Sequence, residues 1–390
     1  MIPADPLRPE YDCVVVGAGV LGLFTAHHLS RRLDPRRVLV VDRGYLSAGA
    51  SGRNGGGVRQ QWEAPATIRL AREAVGVYRR FPREFGYNPW FRQGGYLFLA
   101  FSEEEAGRLR KVSGVVRSEG LPVRWLEPGQ ILRRVPALAP KGLVGGTYLS
   151  SDGVIFPFPV LWGLYQDLRR RGVEVRTRTE VLGLSREGPR WAVRTSRGTV
   201  RAPRVLNAAG GWSREVSALA GLPVPNTPTR HEILATEPVK PFLDPMVVTL
   251  RRGLYLSQSM RGEVIGGLTL EHPGEGTSAM PSSSLFLREM SAEMARLIPG
   301  LASLRVLRSW AGFYDETPDG FPVLGEDPRA PGFFHGNGFG GHGFMLAPAT
   351  APRLAALLLG ERTDLDERLF GPGRFLGANA VRPVEGLTLG

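Results

Sequence analysis

Three glycines in the pattern Gly17-x-Gly19-x-x-Gly22, followed by Asp42, are the residues of this 390-residue chain whose spacing limits their chemistry most narrowly. The first glycine permits a tight strand-to-helix turn, the second admits backbone beside a pyrophosphate, and the third lets helix lie on strand. The helix start offers unpaired N–H groups and partial positive charge to phosphate oxygens. Asp42 is placed to accept hydrogen bonds from a ribose hydroxyl, and it would repel a 2′-phosphate, which argues against NADP. A second stretch, Ala48 to Trp62, holds Gly49, Gly52, Gly55, Gly56 and Gly57. So much glycine cannot hold a packed element, because glycine loses the most entropy on ordering. It suits backbone wrapped around a ligand; a flexible linker is the plainer alternative. A third cluster, Gly336-Asn337-Gly338-Phe339-Gly340-Gly341-His342-Gly343, again leads from an apolar run into a helical one, a second junction fit for electron-rich oxygen.

These residues need elements to hold them. Cys13–Val16 and Val38–Val41 read as buried parallel strands, with an Ala/Leu-rich helix to Leu33 between them. Further along, helices are expected at 66–85, 103–119, 127–135, 159–171 and 283–297, and an apolar one at 346–359. Strands are expected at 95–101, 173–177, 191–195 and 205–212, with a strand-like region over 228–270. The fold class is therefore α/β with α+β insertions: a Rossmann-like dinucleotide-binding domain with a mixed or antiparallel-sheet substrate domain. The expected division is 10–85, 150–222 and 309–370 for the first, 86–149 and 223–308 for the second. Residues 371–390, rich in Gly and Pro, are expected to form a poorly ordered tail.

Composition narrows the function classes. The net charge of +12 comes almost wholly from arginine, since Lys111, Lys141 and Lys240 are the only lysines among 49 basic residues. The arginines are scattered, without the basic stripe interleaved with aromatics that nucleic-acid binding favours. A positive field of this kind draws in anionic substrates such as amino-acid carboxylates. One cysteine, Cys13, excludes an intramolecular disulfide framework. No run reaches the ~18 apolar residues of a membrane span, and Met1–Glu10 has no apolar leader core, so no transmembrane segment and a cytoplasmic location are expected.

Taken together, the opening fingerprint, Ala50-Ser51-Gly52-Arg53-Asn54-Gly55-Gly56-Gly57, Asn207-Ala208-Ala209-Gly210, Thr317-Pro318-Asp319 and Gly338-x-Gly340-Gly341-His342-Gly343 resemble the FAD-dependent D-amino-acid-oxidase superfamily over nearly the whole chain. The likeness is strongest to sarcosine oxidase β subunits, dye-linked proline dehydrogenase β subunits and glycine oxidases. The resemblance implies non-covalent FAD held by Gly17, Gly19, Val20, Gly22, Asp42 and Arg43, with Val181 at the adenine. It further implies Ser51, Gly52 and Arg53 along the pyrophosphate and ribityl chain. Gly56, Gly57, Ala209, Gly210, Trp212, Gly338, Gly340, Gly341, His342, Gly343, Phe344 and Met345 complete the implied set.

For catalysis the resemblance implies Arg59 on the substrate carboxylate, Tyr255 and Tyr314 in the pocket, and His342 at the flavin. Plainer readings stay open: a solvated arginine, core tyrosines, and structural hydrogen bonds for His342 and His231. No cysteine stands near Gly312 to attach FAD. The lysines expected at Met345 and near Glu263–Val264 are missing, which favours an electron acceptor other than oxygen and leaves room for partner subunits. The expected activity is oxidation of a small amino acid, most simply a secondary amine of the sarcosine or proline type. The alternatives are a non-enzymatic FAD-containing assembly factor, a glycerol-3-phosphate dehydrogenase-like enzyme and a tRNA-modification flavoenzyme.

Overall fold

Cys13–Val16 and Val38–Val41 are buried at every residue, as strands covered on both faces must be. They pair in parallel with each other, with Val205–Asn207 on one side and with Glu174–Arg176 on the other. Phe333–Asn337 continues the parallel order, and antiparallel Val323–Glu326 ends a six-stranded sheet. The computed structural model describes residues 6–270, 280–376 and 385. Helix Val20–Leu29 is buried nearly all round, between the sheet and helices Pro157–Arg171 and Gly343–Leu358.

A second sheet has eight strands. In spatial order they are Val306–Glu316, Thr227–Pro238, Glu263–Leu268, Tyr255–Gln258, Met246–Thr249, Tyr96–Ala100, Gly145–Leu149 and Arg124–Leu126. All neighbours are antiparallel except Met246–Thr249 with Tyr96–Ala100. The boundary expected at 309 therefore falls inside a strand of this sheet. Gly57–Val58 pairs with Gly153–Val154 in a short ribbon. One apolar core joins the halves, for it includes Val15, Leu23, Tyr78, Phe98 and Tyr255 together. Truncating any such fully buried leucine to alanine costs about 2–5 kcal/mol.

Several elements differ from expectation. A third sheet is built from Val181–Glu187, Arg190–Thr195 and Gly198–Ala202, of which only the middle strand shows a clear apolar pattern. Its outer strands expose most of their charged residues and gain order by pairing. The first helix stops at Leu29 instead of Leu33, and the 205–212 strand ends at Asn207 with a 3-10 turn at Gly210–Trp212. The last long helix begins at Gly343 and carries Pro348 and Pro352 inside it.

The 371–390 segment needs correction where it is described. Pro372–Phe375 forms a 3-10 turn, and Arg374 makes a buried ion pair with Asp319, Nε to Oδ2 at 2.8 Å. Glu385 is also buried; residues 377–384 and 386–390 lie outside the described set. Among the described residues no helix is long and apolar enough to cross a membrane.

Candidate active site

A cavity of about 750 Å³ runs from the first glycine turn to the second. At its first end Gly17 has φ +113°, and a Cβ there would lie 2.3 Å from the Ala208 carbonyl oxygen. A Cβ on Gly22 would strike the Gly17 carbonyl, so Gly22 serves packing and is not a lining residue. The N–H of Val20 donates to Ser51 Oγ at 3.0 Å, which ties the loop to the helix start. Asp42 accepts from the N–H groups of Ala18 (2.8 Å) and Gly44 (2.7 Å), and burial raises its pKa against those two bonds. Arg43 lies 5.3 Å over the Trp212 ring and 3.8 Å from both Glu180 and Glu215. With Val181, Ala209, Gly210 and Trp212 they line this end.

The middle of the cavity is loop 47–57. Arg53 lines it, yet its guanidinium donates to the carbonyls of Ala48 (2.7 Å) and Ala311 (3.0 Å), knitting loop to sheet rather than reaching for a phosphate. Gly52 is not a lining residue; a Cβ there would meet Ser47 backbone. Gly56 and Gly57 do line the cavity. A side chain on Gly56 would strike the Ile155 carbonyl, and one on Gly57 would overlap the Tyr96 hydroxyl.

At the far end three rings lie nearly parallel. His231 stacks on Tyr314 (4.4 Å, 11°) and on Tyr255 (6.0 Å, 14°), and all three line the cavity. Register explains the stack. His231 pairs with Gly312, so Tyr314 is its diagonal neighbour on the same face. Tyr255 pairs with Gly267, where a Cβ would lie 2.5 Å from the Tyr255 hydroxyl, so the ring crosses that strand toward His231. Gly341, with φ +90°, would place a Cβ 2.6 Å from the Tyr314 ring. Burial holds the phenols of Tyr96, Tyr255 and Tyr314 well above the usual tyrosine range, so they stay neutral.

Helix Gly343–Leu358 opens here, with Gly340, Gly341, Gly343, Phe344 and Met345 on the cavity wall. Gly338 stands behind it, its N–H donating to Asp315 Oδ2 at 2.7 Å. Arg59 and His342 also stand behind the wall. Arg59 is fully buried, 3.7 Å over the Trp62 ring, with Nη2 3.4 Å from His342 Nε2 and Nη1 donating to the Gln61 carbonyl. The His342 ring meets Trp62 edge-on at 4.6 Å. Burial pulls Arg59 down to about 10, so it remains a cation at neutral pH, with the carboxylates of Glu385 and Asp152 favouring the charge. The expected solvated alternative for Arg59 is therefore excluded.

Tyr96 and Met246 line the cavity without having been singled out in the sequence, and His231, read there as structural, lines it too. Tyr96 reads there only as the start of an apolar strand, and nothing along the chain marks it. Its buried hydroxyl and the indole Nε1 of Trp212 have no hydrogen-bond partner among the described residues. Both are donors left for something that occupies the cavity. Among the described residues neither a lysine nor a cysteine lines it, and Cys13 is buried in its strand.

Residues 12–357 match the DAO family, described as FAD dependent oxidoreductase. The chain is 29% identical over 357 residues to a sarcosine oxidase subunit beta of Rhodobacter capsulatus, covering 90% of this chain and 85% of that protein. It is 31% identical over 368 residues to a glycine oxidase of Pseudomonas aeruginosa, covering 92% and 98%. Among solved structures, the L-proline dehydrogenase from P. horikoshii superposes with a TM-score of 0.89 at 30% identity, covering 95% of this chain and 99% of that one.

Proposed function

Because the chain belongs to the DAO family of FAD-dependent oxidoreductases, we propose that it oxidises a small amino acid, and more narrowly a secondary amine of the sarcosine or proline type. The fit of FAD supports the first half of this reading. Glycines at both turns leave no room for side chains where backbone must approach a ligand, and Trp212 Nε1 and Tyr96 Oη are buried donors awaiting one. Asp42, Ser51, Trp212 and the Gly341–Met345 turn would hold the cofactor, which when bound accepts a hydride equivalent from the substrate. The first turn of helix Gly343–Leu358 presents N–H groups and positive charge to any negative charge that develops beside it.

The observation that carries the substrate class is the stacked Tyr255–His231–Tyr314 wall with the Arg59 cation behind it. An aromatic wall suits a compact amine with an apolar body, and a guanidinium buried behind it attracts a carboxylate across a low-dielectric gap; a bidentate grip would require Nη1 and Nη2 to leave the Gln61 carbonyl and His342. Arg59 would draw the carboxylate toward Tyr96 and Tyr314 and so aim the substrate's C–H at the ring site. The three buried phenols stay protonated and cannot act as bases, which supports a substrate that enters with its amine already neutral. Of the lining groups in the aromatic wall, the His231 imidazole is the one able to take a proton. A phosphorylated substrate would call for cations at the ring end; the arginines that line the cavity, Arg43 and Arg53, lie elsewhere and are engaged with Glu180, Glu215, Ala48 and Ala311.

The missing lysines support an electron acceptor other than oxygen, and several relatives, the Rhodobacter capsulatus protein among them, bear the name of a subunit, which supports partner subunits. Anaerobic titration with a panel of amino acids tests the reading. Sarcosine or proline should bleach the flavin absorbance, faster than primary amino acids do. Full retention of the oxidised spectrum across the panel would overturn it.

A further inference from the structure

Two described residues after helix Glu367–Phe370, Arg374 and Glu385, meet at Asp319. Arg374 forks onto Asp319, with Nε to Oδ2 at 2.8 Å and Nη2 to Oδ1 at 3.2 Å. The Asp319 carbonyl then accepts from the N–H of Glu385 at 3.0 Å. Glu385 is 3% exposed, and its two carboxylate oxygens accept from the N–H groups of Glu63 and Ala64, each at 3.0 Å. Those amides sit just ahead of helix Pro65–Phe85, whose positive end favours a carboxylate there. A cap alone would end the matter, but the same carboxylate also attracts the buried Arg59 guanidinium. The turn it pins, 59–64, is the one that carries Arg59 and the Trp62 ring beneath it.

We propose that Glu385 is a positioning residue for Arg59: by clamping the 59–64 turn it holds the guanidinium behind the cavity wall, where its charge draws a substrate carboxylate. The role of Arg59 in this proposal rests on the amino-acid reading above, whereas the clamp does not. The turn has no strand or helix of its own between Val58 and Pro65; besides the clamp, its backbone is tied by the Gln60 N–H donating to Asp152 and by the Arg59 and Gln61 carbonyls accepting from the Trp62 and Arg59 side chains of the same turn. A guanidinium on a looser turn loses its place behind the wall, and its pull on a carboxylate in the cavity depends on that place.

The test uses the flavin-loaded protein and Glu385→Ala, with Glu385→Gln as the conservative variant. Amide exchange should be slow at Glu63 and Ala64 in the parent, at least about tenfold faster in the alanine variant, and intermediate in the glutamine variant. Acetate, titrated against the flavin spectrum, should bind about tenfold more weakly in Glu385→Ala, and KM for the amino acid should rise similarly with kcat within about threefold. In an Arg59→Met background Glu385→Ala should add nothing further to the acetate constant. Unchanged exchange at both amides overturns the clamp. Faster exchange with unchanged acetate binding reduces it to a helix cap and overturns the positioning role. Failure of every amino acid to bleach the parent flavin would overturn the functional reading instead, while the exchange and acetate arms still decide the role of Glu385.

Discussion

Arg59 has no water to compete for its charge, because it is buried between Trp62, Phe98 and His342. A carboxylate that reaches it therefore gains a charge-assisted contact in a low-dielectric setting. Arg59→Met should raise KM for the amino acid about a hundredfold or more, with a smaller loss in kcat, and Arg59→Lys should recover only part, since a point charge replaces a fork. Equal KM values for parent and methionine variant would remove Arg59 from the site. Tyr96→Phe should lower kcat/KM about tenfold while FAD stays bound, because it deletes one buried donor and no volume; steady-state kinetics with a flavin absorbance check would read both. At this scale the sequence was legible in part. Tyr255 and Tyr314 could be named from the family resemblance, whereas His231 reads as structural there and Tyr96 goes unnamed. What makes them functional is cross-strand register, and a tyrosine that opens an apolar strand looks like any core aromatic until its partners are known.

Two elements carry separate jobs, and single methyl groups should separate them. The turn between Cys13–Val16 and helix Val20–Leu29 works only if helix and strand touch at Gly22, where a Cβ would collide with the Gly17 carbonyl. Gly22→Ala should push the helix off the sheet, weaken FAD binding by at least about tenfold and cost roughly 1–3 kcal/mol of stability. Gly267→Ala should leave FAD binding intact but displace the Tyr255 ring from its stack, raising KM. Equilibrium dialysis of FAD and substrate kinetics distinguish the two outcomes, and loss of FAD in Gly267→Ala would contradict this division. The first element could be read from sequence because a glycine pattern, two valine runs and an acid agree with one another. Of the eight-stranded sheet, Tyr96–Ala100 could be read as a strand and 228–270 as strand-like, but the order that places Met246–Thr249 beside Tyr96–Ala100 and Val306–Glu316 at an edge is topology that no local pattern encodes. The outer strands of the 181–202 sheet were illegible for a simpler reason: their charged, exposed residues satisfy no apolar period, and only pairing orders them.

Across the whole molecule, buried carboxylates set how stability answers to pH. Burial raises Asp152 to about 7 despite hydrogen bonds from Gln61 and Gln60, and it raises Asp315 to about 7 despite those from Gly338 and Asn226. An unfolded aspartate titrates near about 3.9. Between about 4 and 7, then, the folded protein holds more protons at these two positions than the unfolded chain does. Stability must fall as pH rises through that window. Asp167 works the other way: burial pushes upward, but bonds from His27 and Arg171 outweigh it and bring the group down to about 2. Asp327, held by Arg329 and His335 against the same upward push, lies lower still. Their contribution is present above about 3.9 and is lost as pH falls toward 2. His28, which burial pulls down to about 3, opposes part of the decline, because the unfolded imidazole takes up a proton below about 6.5. The two raised aspartates outweigh it, which leaves the maximum near about pH 4–5 and a shallower decline above it. The unfolding midpoint of the flavin-loaded protein, followed from pH 4 to 8, should show that decline. Asp152→Asn should flatten it, because the substituted group no longer titrates, even though its amide must face Gln61 and loses one accepted bond. A midpoint that climbs from pH 5 to 8 would mean that Asp152 and Asp315 are ionised without penalty. The cation behind the stacked rings would then have a full countercharge in Asp152, and it would be a weaker anchor for a substrate carboxylate than its burial implies.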